Sequence, residues 1–76
     1  MPKIPPVPPE KMLKILKALG FREARQRGSH VVMKRDKTII VVPIHKNRPL
    51  KRGLVRLIMK EAGISREEFF ELLKKV

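Results

Sequence analysis

Two histidines and a basic turn are the residues of this sequence best suited to chemistry. His30 ends the stretch Arg25-Gln26-Arg27-Gly28-Ser29-His30. A histidine titrates near neutrality and can take a proton from a ribose 2′-hydroxyl. Arginine or lysine can stabilise the charge that develops on the phosphorane as the 5′-oxygen leaves. Gly28 lets the backbone approach a phosphate closely, and Ser29 offers a hydroxyl and an N–H to the same oxygens. The same spacing also fits a strand-end histidine that bonds a backbone carbonyl. His45, in Val42-Pro43-Ile44-His45-Lys46, is the second candidate. It can serve as a general acid, as a phosphate ligand, or as a loop residue that fixes local conformation.

Other chemistries find little support. Cysteine is absent, which removes disulfides, thiolate metal sites and a thiol nucleophile. Two histidines without a carboxylate or cysteine at ligand spacing make a poor metal site, and acidic residues are too sparse around them for a two-metal nuclease. The expectation is therefore no metal and no cofactor. No Walker loop and no Gly-x-Ser-x-Gly motif is present. Tryptophan and tyrosine are absent and there are three phenylalanines, so an aromatic platform for stacking bases is not expected.

The elements that must position these residues follow from periodicity. Residues 1–9 hold five prolines and read as an extended, flexible lead-in, with the domain proper over 10–76. Pro8 or Pro9 suits the first helical position. Met12, Ile15, Leu16 and Leu19 then recur at helical spacing, and Gly20 stops the helix. A weak strand is expected over 21–27. His30–Arg35 and Thr38–Pro43 are stronger strands, joined across Asp36-Lys37 as a hairpin. Alternation puts Val31, Met33 and Arg35 on one face, opposite Ile40 and Val42, and leaves His30, Val32 and Lys34 on the other. A second helix is expected from about Pro49, with Leu50, Leu54, Leu57 and Ile58 inward and Arg52, Arg56 and Lys60 outward. Gly63 ends it. Ser65-Arg66-Glu67-Glu68 reads as a capping box with Ile64 and Phe69 as its staple, opening a last helix lined by Phe69, Leu72, Leu73 and Val76. The fold class is α+β, an α-β-β-β-α order like that of the double-stranded-RNA-binding domain, with a short extra C-terminal helix.

Charge points to the partner. Nineteen Lys and Arg against seven Asp and Glu give +12, and self-repulsion of that size disfavours a compact state. Residues 1–60 hold sixteen basic and three acidic side chains, and 61–76 hold three and four. Glutamate is too scarce for the Lys-and-Glu surface of a thermophile. A polyanion or an acidic protein is implied. With 76 residues the chain is one domain with little room for an enclosed site, so chemistry belongs on an exposed face. No apolar run approaches the length of a membrane span, and the start lacks a signal peptide's apolar core. A cytoplasmic location is expected.

Taken in order, Gly20-Phe21, Arg25-Gln26-Arg27-Gly28-Ser29-His30, Val42-Pro43-x-His45, Lys51-x-Gly53 and Ala62-Gly63-Ile64 resemble the HicA (YcfA-like) mRNA interferase toxins, over about residues 10–72. The resemblance implies a double-stranded-RNA-binding-like fold that cleaves mRNA and is inhibited by a HicB-type acidic antitoxin covering the active face. It places the family's catalytic histidine on His30. His45 and Lys51 fall at recurrent family positions without a catalytic assignment. The proline-rich start and Arg48-Pro49 are not family features. The expected RNA contacts are Arg25, Arg27, Gly28, Ser29, Lys34, His45, Lys51, Arg52 and Arg56. The alternative is a non-catalytic RNA-binding module with the same basic face. A membrane-surface role is disfavoured, because the basic helices use their apolar faces on the core.

Overall fold

A computed structural model describes residues 3–76. The elements run α1 (Pro9–Ala18), β1 (Arg22–Arg27), β2 (His30–Arg35), β3 (Thr38–Pro43), α2 (Arg52–Ala62) and α3 (Arg66–Lys75). This is the expected α-β-β-β-α order with an added C-terminal helix. The strands form one antiparallel sheet in the order β1-β2-β3. Helices α1 and α2 pack on β3, and α3 packs on α1.

The core lies between the sheet and the helices. Val31 and Met33 of β2 and Ile40 and Val42 of β3 are buried against Met12, Ile15, Leu16, Val55, Ile58 and Phe69. Among the described residues no polar or charged side chain is buried, so the basic residues lie at or near the surface. Strand β1 overhangs this layer, and all six of its residues are exposed.

Helices α1 and α2 end in the same way. Gly20 and Gly63 take left-handed φ values of 95° and 73°, which glycine adopts without a Cβ penalty. Phe21 N–H then bonds Leu16 C=O at 2.9 Å, and Ile64 N–H bonds Met59 C=O at 3.2 Å, the closing bond of a Schellman motif. Arg35 joins the two ends. Its Nη1 donates to Leu19 C=O at 2.8 Å and its Nη2 to Ala62 C=O at 3.4 Å, the residues just before each glycine. The guanidinium also lies over the Phe21 ring, 4.4 Å from its centroid. Helix α3 opens with the expected capping box. Glu68 N–H bonds Ser65 Oγ at 3.1 Å, and Ser65 N–H bonds Glu68 Oε1 at 3.0 Å.

Two expectations need correcting. The proline-rich start is extended, but it is not a lead-in lying outside the domain. Its first two residues fall outside those described; beyond them, Ile4 and Val7 are 2% and 1% exposed and belong to the core. Val7 and Leu50 exchange both backbone hydrogen bonds, at 3.2 and 2.7 Å. The Cα radius of gyration is 11.5 Å, close to the ~11.4 Å of a packed 76-residue chain, and a free tail would raise it. The second correction concerns α2. It starts at Arg52, because Pro49 to Lys51 continue in extended form to meet Val7, and Lys51 has φ −66° and ψ 152°. Its inward residues are Val55, Ile58, Met59 and Ala62, with Leu54 half-buried, while Leu57 is 52% exposed.

Candidate functional site

His30 opens β2 on the face of the sheet turned away from the helices. Its cross-strand partners are Arg27 on β1 and Pro43 on β3. Residues directly opposite each other in a ladder share a face, so the register builds the site row by row. Arg27, His30 and Pro43 form the first row, Arg25, Val32 and Val41 the second, and Arg22, Lys34 and Ile39 the third. His30, Arg22, Arg25, Arg27 and Lys34 are all exposed. The expectation that His30 and Lys34 occupy the open face is met.

Arg22 was not among the expected contacts. Plain alternation would group Glu23 with Arg25 and Arg27. A β-bulge between Glu23 and Arg25 inserts Ala24 as an extra residue, so Arg22 pairs with Lys34 while Glu23 pairs with Met33. The bulge thereby exchanges an acid for a base on the open face. Bulges re-aim side chains in this way, and nothing in the composition of Arg22–Arg27 marks its position.

The turn before His30 is built by Gly28, whose φ is 57°. Two-residue hairpin turns with glycine first need that value. A Cβ at Gly28 would meet nothing within 4 Å, so glycine answers a backbone need and leaves the turn open above. Gln26 Nε2 donates to Gly28 C=O at 3.2 Å. Ser29 is half-buried, and its C=O accepts from Ile44 N–H, tying the turn to the segment that carries His45.

His45 therefore lies at the same end of the sheet as His30. It sits in a tight turn with left-handed Asn47 (φ 63°), closed by Arg48 N–H to His45 C=O at 3.1 Å. His45, Pro43, Arg48, Pro49, Lys51 and Leu54 are among the residues that line one groove. Lys51 is the residue before α2, and its side chain makes no capping bond. Gly53 follows in the first turn, where a Cβ would meet open space. Arg52 and Arg56 are exposed along α2, outside the rows of the sheet. The structure thus brings Arg25, Arg27, Gly28, Ser29, His30, Lys34 and His45 to or beside one face. Lys51 borders that end, and Arg52 and Arg56 continue away from it. Among the described residues no three His, Asp or Glu side chains gather at a metal-binding spacing.

The open face is not uniformly polar. Ile39 and Val41 are 55% and 46% exposed, and half-buried Val32 adjoins them. This apolar strip lies beside the cations on a β3 strand whose outer edge is unpaired by any other strand among the described residues.

The fold and this face define a small α+β domain with a strongly basic open sheet. The family model described as the HicA toxin of bacterial toxin–antitoxin systems matches residues 9–64, and the chain belongs to that family. It is therefore the toxin component of a toxin–antitoxin pair. No curated protein matches the chain. No helix among the described residues is long and apolar enough to cross a membrane.

Proposed function

We propose that the chain is a metal-independent endoribonuclease that cuts mRNA with His30 as general base. The observation that carries this is the position of His30, exposed on the open face and paired directly with Arg27. In the proposed step His30 takes the proton of the 2′-hydroxyl, and the 2′-oxygen attacks the adjacent phosphorus. The P–O5′ bond breaks, leaving a 2′,3′-cyclic phosphate and a 5′-hydroxyl whose proton comes from a cationic neighbour or from water. Arg25, Arg27 and Lys34 stabilise the dianionic phosphorane in this reading. The turn N–H groups and the Ser29 hydroxyl orient the phosphate, and His45 contacts the strand leaving the site. No cofactor is needed for any of these steps.

The partner in this reading is an acidic, HicB-type antitoxin that covers the open face. Charge complementarity favours its approach to a +12 chain. Val32, Ile39 and Val41 supply the apolar contact that a stable interface needs at its centre. Both partners, RNA and antitoxin, meet the protein where it was made, in the cytoplasm.

The test is His30→Ala. Because His30 is exposed, the change opens no core cavity, and stability should stay within about 0.5 kcal/mol. RNA affinity should fall little, since one contact among many is lost. Turnover should drop by on the order of 10²–10⁴, and toxicity on expression should disappear. A folded His30→Ala that cuts normally removes the assignment and makes His45 the next residue to change. A wild-type protein that binds RNA without cutting it would favour a non-catalytic binding module.

A further inference from the structure

Beyond the sheet face, a second group of cations converges at the N-terminal ends of α2 and α3. Lys3, Arg52, Arg56 and Arg66 line a cleft of about 200 Å³ together with Ile4. Cations gathered around one small opening give it a positive potential that favours an anion. The cleft is below the ~300 Å³ at which small-molecule pockets begin, which suits a phosphate group rather than a whole nucleotide.

The cleft is linked to the candidate site through shared lining residues. Pro43, the partner of His30, borders the groove that holds His45, Arg48 and Lys51. Arg48, Pro49 and Lys51 are shared with a neighbouring groove that adds Pro6 and Arg52. Arg52 is shared in turn with the cleft. A track of cations therefore leads from the sheet, past the docked start of the chain, to the base of α3.

We infer that this track holds the single-stranded RNA flanking the cleavage point, and that the Lys3–Arg52–Arg56–Arg66 cleft binds one of its backbone phosphates. The inference rests on the RNA reading above and deepens it. It makes the proline-rich start a functional part of the substrate surface, since that segment contributes Lys3 and a wall of the track. An acidic protein segment is the less favoured occupant. Protein interfaces need a buried apolar centre, which the sheet face offers in Ile39 and Val41, whereas among the described lining residues the cleft offers only Ile4, already buried.

The experiment measures binding of 2′-O-methyl RNA oligomers, which resist cleavage, at lengths from three to sixteen nucleotides and several salt concentrations. The proteins are wild type, K3Q/R66Q and a control of equal charge change, K74Q/K75Q. For the longest oligomer K3Q/R66Q should flatten the slope of log K against log salt by about 0.7, the value for one phosphate, which at 0.1 M salt is roughly a 5-fold loss. The shortest oligomer should bind all three proteins alike, and K74Q/K75Q should match wild type throughout. Single K3Q, at an exposed position, should show about half the slope change and guards against a folding defect in the double variant. Equal losses in K3Q/R66Q and K74Q/K75Q, or a loss independent of oligomer length, would overturn the cleft. So would a K3Q/R66Q protein that keeps its RNA affinity but loses its protein partner. Length-dependent binding lost in K3Q/R66Q, in a wild type that never cuts RNA, would support the track and remove only the nuclease.

Discussion

Arg35 allows stability and activity to be separated in this domain. Arg35→Met keeps most of the aliphatic stem and removes the guanidinium. Lost with it are a 2.8 Å bond to Leu19 C=O, a longer 3.4 Å bond to Ala62 C=O and the stacking on Phe21. A hydrogen bond to a charged group contributes about 1.5–3 kcal/mol, and the second, at the limit of hydrogen-bond length, contributes less. The cation over Phe21 adds about 0.5–1 kcal/mol at a half-exposed site, and a positive charge at two helix C-termini adds a few tenths more. Because Arg35 is half-buried, the expected total is about 2–3 kcal/mol, toward the lower end of a simple sum. For a domain of this size each kcal/mol shifts Tm by about 4–8 °C, so a fall of roughly 10–20 °C is expected. Thermal and urea unfolding measure it, and RNA cleavage per folded molecule at low temperature should not change. A loss below about 0.5 kcal/mol, or normal stability with lost cleavage, would refute the clamp.

Further outcomes follow from the site. A chelator should leave cleavage intact, the cut ends should carry 2′,3′-cyclic phosphate, and a single 2′-deoxy substitution at the cut site should block the reaction; activity restored only by Mg²⁺ would contradict the mechanism. Arg22→Gln should flatten the salt dependence of RNA binding by about 0.7, as should Arg25→Gln, while Glu23→Gln should leave it unchanged; equal effects at 22 and 23 would show that the bulge does not sort them. Ile39→Asp with Val41→Asp should weaken antitoxin binding more than tenfold with little change in Tm, and full inhibition of that variant by the antitoxin would remove the apolar strip from the interface.

Much of the scaffold was legible in the sequence because it obeys local rules. Helix α1, the β2–β3 hairpin, both stop glycines and the capping box each carry their signal within a few residues, and alternation alone placed His30 and Lys34 on the open face. The failures are all non-local. Leu50 fits a helical pattern with Leu54 and Leu57, but it is taken by Val7, so the helix starts later and turns Leu57 outward. Five prolines masked Ile4 and Val7, although three residues per turn in a proline-rich helix puts that pair on one side. That spacing was the available signal. Arg22 needed the β1 register, and Arg35 reads as one more cation until its two carbonyl partners are brought together.

The bridge between Val7 and Leu50 also fixes the order in which the molecule can be completed. Val7 is made before its backbone partner Leu50, which follows 43 positions later. Contacts of such long separation pay their loop-closure entropy before any reward. The sheet hairpins, built from neighbours, can form while Val7 still has nothing to bond. Docking of the segment around Val7 is therefore expected among the last events of folding. Until that segment docks, Lys3 is not held beside Arg52, Arg56 and Arg66 at the cleft.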